Sequence, residues 1–205
     1  MTLQLIGRDL SPFVRRTATV IEVLGLPYER IEVATMTDPK SAIPYNPMAR
    51  VPVLVLDSGE KLIDSWAIID YLLENGDPEY ALLPEKGEER RKILNLSAFA
   101  VAVMEKGVAG SYELKRRPAE LIHEPWVNYI RNQISDGLLA LTNSVKGKGW
   151  VKGGQPTLAD INIVVAYDFI STSHSQLITD AMQPLKSLSD FANGHEAFGN
   201  TMWNG

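Results

Sequence analysis

Three short stretches place polar side chains where the backbone can present them to a ligand. The first is Leu10-Ser11-Pro12-Phe13-Val14-Arg15, a lone hydroxyl at the point where a short apolar strand gives way to a helix. The second is Arg50-Val51-Pro52-Val53-Leu54, and the third is Asp64-Ser65, immediately ahead of another apolar-periodic segment. A helix N-terminus offers free N–H groups and the positive end of the dipole, so an anion, a thiolate included, is favoured there. A hydroxyl at such a place can donate a hydrogen bond to that anion. Each stretch also has a purely structural reading. Ser11 suits an N-cap and Pro12 the first helical position. A proline in an otherwise central strand belongs at its first residue or in a bulge. With a cis Val51-Pro52 bond the backbone of Val51 turns outward, and its N–H and C=O can pair with an extended peptide as an added strand does; a trans bond merely opens the strand. Ser65 is a good N-cap whose hydroxyl and N–H also suit a carboxylate, and Asp64 could take an ammonium group or favour the helix dipole. The residues alone leave these pairs of readings open. A fourth stretch, Thr157-Leu158-Ala159-Asp160, has capping-box spacing and is structural.

The elements that must position these groups follow from periodicity. Leu3 to Gly7 and Tyr28 to Val33 read as short strands, the second with the alternation of a half-buried one. Between them Val14, Ala18, Ile21 and Leu24 fall at helical spacing, with Gly25 a C-terminal stop and Pro27 beyond. A strand-helix-strand unit of this length predicts parallel pairing. Thr35 to Arg50 is turn-rich. Val53 to Leu56 and Lys61 to Ile63 form a hairpin around Asp57-Ser58-Gly59, and a helix runs from Ser65 to a stop at Asn75-Gly76. The order βαβ, irregular segment, ββα packs helices on a small mixed sheet. Residues 78–87 read as a linker, after which no strand is evident. Arg90 to Val108, the repeat Ile122, Trp126, Ile130, Ile134, Leu138, Leu141, and Leu158 to Ile170 predict an all-helical second domain over 88–205, against 1–77 for the first.

Composition excludes several classes. A formal charge of −5 and the lack of a long basic run argue against a nucleic-acid surface. Arg15-Arg16, Arg90-Arg91-Lys92 and Lys115-Arg116-Arg117 read as solvated helix faces. The absence of cysteine excludes disulfides, thiolate zinc sites and protein thiol chemistry. The three histidines lack metal-ligand spacing, so no metal is expected. No secretory signal pattern is present, and no apolar run approaches the roughly 20 residues of a membrane span. A cytoplasmic protein is the default expectation.

Taken in order, the motifs resemble the soluble glutathione transferases along nearly the whole chain. Ser11-Pro12-Phe13-Val14-Arg15 resembles the family's catalytic-serine segment, and Asn46 to Leu54 its stretch leading into a cis-proline. Asp64 to Leu72 is similar to its glutathione-carboxylate motif, Leu82-Leu83-Pro84 to its linker, and Trp150 to Val165 to the capping box and central helix of its second domain. The resemblance implies a thioredoxin-like first domain, an all-helical second one, and glutathione as the co-substrate. Ser11 would donate to the sulfur, Val51 would pair with the cysteinyl backbone, and Ser65 would take the γ-glutamyl carboxylate. Asp64 stands where the family usually has Glu or Gln, one methylene shorter than Glu. Arg50 and Lys40 lie where members often contact the glycine carboxylate.

The expected activity is conjugation of the glutathione thiolate to a small hydrophobic electrophile, a detoxification reaction, with Leu10, Phe13, Met104 and Tyr112 as apolar groups of the second-substrate pocket. A serine where thioltransferase-like members carry a reactive cysteine cannot form a mixed disulfide. Members resembling maleylacetoacetate isomerase have a serine-rich run that Leu10-Ser11-Pro12-Phe13 does not match. The competing reading is a non-catalytic ligand carrier or interaction module of the same fold. The resemblance also implies a homodimer, with Ile43 to Met48 and the helix from Arg90 as contacts.

Overall fold

The computed structural model describes residues 3–35, 37–79, 81–147 and 149–203. The chain divides into two compact units, Met1–Leu83 together with Asn193–Gly205, and Pro84–Ala192. In the first, strand β1 (Leu3–Ile6) leads through helix α1 (Pro12–Val23) to β2 (Tyr28–Ile31). After a single 3-10 turn at Pro39–Ala42 come β3 (Val53–Val55), β4 (Lys61–Leu62) and helix α2 (Ser65–Gly76). The sheet order is β2-β1-β3-β4. β1 pairs parallel with β2, Leu5 opposite Arg30, and antiparallel with β3, Leu5 opposite Leu54. The predicted parallel unit, hairpin and mixed sheet are all present. Leu5, Ile6, Val53 and Leu54 are fully buried, as are Val14, Ala18 and Ile21 of α1 and Ile68 of α2, so the sheet and its helices share one core. Gly25 ends α1 with φ at +64°, the left-handed conformation a helix stop needs. Asp77 is buried at the end of α2, and its two carboxylate oxygens accept from the N–H groups of Ala81 and Leu82, which fixes the start of the linker.

Two sequence expectations change here. Arg15 and Arg16 are not a solvated face: they are 5% and 0% exposed. And the end of the chain, read as part of the helical domain, packs with the first unit. Helix α6 (Gln183–Asn193) ends on Asn193, whose side-chain oxygen accepts from Arg15 at 2.9 Å. The short helix α7 (Glu196–Gly199) lies against α1, the hydroxyls of Thr19 and Thr201 are 2.9 Å apart, and Arg8 stands 5.3 Å from the ring centre of Trp203. The buried polar edge of α1 is thus matched by a polar tail. This match replaces the water that a solvated face would have kept.

The second unit is helical. Helix α3 (Glu88–Arg116) packs on α4 (Glu124–Thr142) and α5 (Leu158–Ser173). By length and composition α3 could cross a membrane, contrary to the sequence expectation, yet 44% of its apolar window is buried within the protein. Glycines let these helices approach closely: a Cβ on Gly107 would stand 2.6 Å from Ile170 Cδ1, and one on Gly137 2.5 Å from Val103 Cγ2. The capping box that opens α5 is complete, with Thr157 N–H donating to Asp160 at 2.8 Å; Val151 N–H donates to the other oxygen of Asp160 at 2.6 Å. His174 is buried where α5 ends, its Nε2 at 2.8 Å from Gly107 O and 3.1 Å from Ser111 Oγ. A carbonyl only accepts, so Nε2 carries the proton. Burial lowers the pKa of His174, with Gly107 opposing and Lys115 and Arg131 adding to the depression.

Candidate functional site

β1 ends at Gly7, whose N–H donates to Ile31 O and whose φ is +128°. A Cβ there would lie 2.5 Å from Val14 Cγ2 and 3.1 Å from Val51 Cβ. The end of β1, the first turn of α1 and residue 51 therefore meet at one point, which only glycine fits. From it the chain makes a turn over Arg8 to Ser11, closed by Ser11 N–H donating to Arg8 O at 3.0 Å, and enters α1.

Ser11 is the N-cap of α1 and Pro12 its first residue, as the local sequence predicts. Its Oγ accepts from Val14 N at 3.5 Å, the outer limit for such a bond. Capping of this kind uses an oxygen lone pair, so the Ser11 O–H can still donate. The structural and chemical readings of Ser11 are therefore compatible. The Val51-Pro52 bond is cis, the second of the two alternatives that the sequence left open being the trans one.

At α2 the sequence reading needs correction. The N-cap is Asp64, whose carboxylate accepts from Trp66 N at 2.9 Å; Ser65 is the first helical residue. A carboxylate caps at least as well as a hydroxyl and also meets the positive dipole end, so it can take the outer position. Ser65 turns inward, is buried, and accepts from Arg16 Nη1 at 2.9 Å. Here too the hydroxyl accepts from the protein and keeps its own proton to give.

Arg16 is the residue that no local signal marked. It lies fully buried in the middle of α1, and its guanidinium stands 4.3 Å from the ring centre of Trp66. Burial pushes its pKa down to about 9, with the Asp64 carboxylate pulling the other way, so it stays charged at neutral pH. A buried cation beside Ser65 makes the mouth of α2 a strong place for an anion. An arginine five positions after the N-cap occurs in many ordinary helices, so nothing short of the contact between α1 and α2 identifies it.

The other expected site residues are less drawn together. Lys40 sits on the 3-10 turn and Arg50 on the loop before Val51; both are exposed. The loop backbone at Arg50 is held by Asn46 Nδ2, which donates to its carbonyl at 3.1 Å. Leu10 and Phe13 are half-buried on either side of Ser11 and Pro12. Met104 has no exposed surface at all, so it is a core side chain and does not line an open pocket. Tyr112 is 39% exposed and carries the Arg116 guanidinium 4.5 Å from its ring centre. Among the described residues no group of acidic, histidine or cysteine side chains could hold a metal ion.

Comparison with known proteins bears on the first unit and on the fold of the whole chain. Residues 5–79 match the glutathione S-transferase N-terminal domain. A GST-like protein of Escherichia coli K12, itself uncharacterised, is 29% identical over 82% of this chain and 82% of its own. A maleylacetoacetate isomerase of Pseudomonas aeruginosa is 28% identical over 97% of this chain and 93% of its own. Among solved structures, a glutathione S-transferase of Methylobacterium radiotolerans in complex with glutathione sulfonate superposes with a TM-score of 0.88 at 22% identity, covering 98% of this chain and 94% of that one. A glutathione S-transferase of Methylobacillus flagellatus with glutathione bound gives 0.86 at 23% identity, covering 98% of each chain. Residues 5–79 thus match the glutathione S-transferase N-terminal domain, and the chain as a whole takes the glutathione S-transferase fold.

Proposed function

We propose that this protein binds glutathione and uses its thiolate on a small hydrophobic electrophile. The observation that carries this is the pairing of Ser11 and Ser65. Each sits at a helix N-terminus of the first unit, each oxygen already accepts from the protein, and each O–H is left to donate to an anion. Ser11 would meet the sulfur and Ser65 the γ-glutamyl carboxylate, with Arg16 supplying the charge behind it. The outward backbone of Val51 would pair with the cysteinyl unit. Asp64, engaged as a cap, would take the γ-glutamyl ammonium with its second oxygen, and exposed Arg50 and Lys40 would reach the glycine carboxylate. Leu10 and Phe13 beside Ser11 supply apolar surface for the electrophile.

The chemical task is to ionise a thiol whose ordinary pKa is about 8.5. A hydroxyl hydrogen bond and a helix dipole both favour the charged form. A shift of one or two units corresponds to about 1.4–2.7 kcal/mol, within reach of the two together. Ser11 itself need not ionise.

The likeness to a maleylacetoacetate isomerase favours a second reading, in which the thiolate adds reversibly to a cis double bond, the adduct rotates, and elimination returns glutathione unchanged. The two share the thiolate and differ in whether glutathione is consumed. Retention on immobilised glutathione, followed by turnover of an aryl halide and of maleylacetoacetate with free thiol counted in each, tests both. Conjugation requires loss of one thiol per product. Binding without turnover on either substrate would make the protein a ligand carrier, and failure to bind glutathione would overturn the proposal.

A further inference from the structure

The turn that presents Ser11 is tied down from the neighbouring strand. Asp9 is a central residue of the turn Arg8 to Ser11, and one of its carboxylate oxygens accepts from Arg30 Nη1 on β2. Arg30 Nη2 donates to the Tyr28 hydroxyl at 2.7 Å, and that hydroxyl donates to Glu22 on the last turn of α1 at 3.0 Å. A continuous polar strap thus runs along β2 from the end of α1 back to the turn before its start. As a stabilising device it is poor. The pair is largely withdrawn from water, with Asp9 and Arg30 side chains 15% and 20% exposed, and the second oxygen of Asp9 is buried with no hydrogen-bond partner among the described residues. An unsatisfied buried carboxylate oxygen costs free energy, and a half-satisfied ion pair is weak evidence for stability. Burial also raises the pKa of Asp9, with Arg30 opposing. Such a group two residues from Ser11 calls for a purpose other than holding the fold together.

We propose that Asp9 and Arg30 are positioning residues that hold the Ser11 hydroxyl on the glutathione sulfur by locking the turn. The inference rests on the reading of Ser11 given above. Single substitutions would leave one charge behind and perturb the thiol directly, so the informative variant is the charge-neutral pair Asp9→Asn with Arg30→Met. The readout is the pKa of bound glutathione, followed by its ultraviolet thiolate absorbance, in the parent, in the pair variant, in Ser11→Ala, and in all three changes combined. We expect the pair variant to raise that pKa by up to about one unit, a loss of up to tenfold in thiolate well below the pKa. It should add no further shift once Ser11 is Ala, and glutathione affinity should stay within about twofold of the parent, because the Arg16 and Ser65 contacts are untouched. A role in stability alone would lower the melting temperature and leave the thiol pKa where it was, which overturns the proposal. An equal shift with and without Ser11 overturns it as well. If Ser11→Ala by itself leaves the thiol pKa unchanged, it is the reading of Ser11 that fails. Tyr28→Phe, which keeps both charges and the β2 packing, should show a smaller shift in the same direction and serves if the pair variant does not fold.

Discussion

Replacing Ser11 by Ala separates its two roles. As a cap it makes one hydrogen bond to Val14 N, and at 3.5 Å that bond is at the edge of the useful range. The stability lost should therefore lie at the low end of the usual capping range, about 0.5 kcal/mol. In a chain of this size that lowers the melting temperature by about 1–2 °C. As the thiolate donor the same hydroxyl contributes part of a one- to two-unit depression of the thiol pKa. Its loss should then cost about tenfold in rate for each unit recovered, at pH well below the new pKa. The pH-rate profile with saturating glutathione, beside a thermal melt, reads both quantities. The deficit should shrink as pH rises, since alkali supplies the thiolate that Ser11 no longer stabilises. Affinity should hold, because in the proposed binding mode Val51, Ser65 and Arg16 carry most of the contacts. Superimposed profiles together with the small loss in melting temperature would refute the donor role and leave Ser11 a cap.

Four further outcomes are expected. Arg16→Met keeps the volume but removes the charge beneath Ser65, and should weaken glutathione binding by about 1.5–3 kcal/mol in titration calorimetry, with kcat little changed. An unaltered Kd would remove Arg16 from the site. Gly7→Ala must place a methyl group 2.5 Å from Val14 Cγ2 at a φ of +128°, and should destabilise by more than about 2 kcal/mol in denaturant melts; a neutral result would mean that β1, α1 and Val51 do not converge there. His174 is held below its ordinary 6.5 chiefly by burial, so the unfolded chain binds the extra proton first as pH falls. Its contribution to stability is complete above about 6.5 and lost progressively below it, and His174→Gln should flatten that part of the melting temperature against pH. Finally, we propose a homodimer, since Ile43 and Met48 on the loop before Val51 are 51% and 68% exposed; sedimentation at micromolar concentration should give twice 22.7 kDa, and a 22.7 kDa species would defeat the idea.

Much of this molecule was legible along the chain. The strand-helix-strand order, the hairpin turned by Asp57 to Gly59, the Ser11 cap with Pro12 behind it, and the capping box at Thr157 all rest on interactions within three or four residues. Such interactions are encoded in spacing and residue type, so short windows of sequence are enough to read them. The cis bond before Pro52 was foreseen only through the family resemblance, since an X-Pro dipeptide taken by itself favours trans.

What the windows could not hold is set by contacts far apart in the chain. Arg15 and Arg16 read as a wet face because two adjacent cations on a helix normally are one. They are buried because Ser65, 49 positions on from Arg16, and Asn193, 178 on from Arg15, arrive to accept from them. Asp64 and Ser65 both satisfy the rules for a cap. Only the approach of Arg16 from α1 decides that the serine turns inward and the carboxylate takes the end of α2. Asp9 carries no local signal, and only the placing of Arg30 on β2 gives it a partner. In each case the free energy of a charged group depends on whether its partner has displaced the water around it, and that is a property of the assembled fold. Local pattern therefore located the helix mouths where chemistry could occur, and tertiary contact decided which side chain at each mouth is spent on structure and which keeps a proton to give.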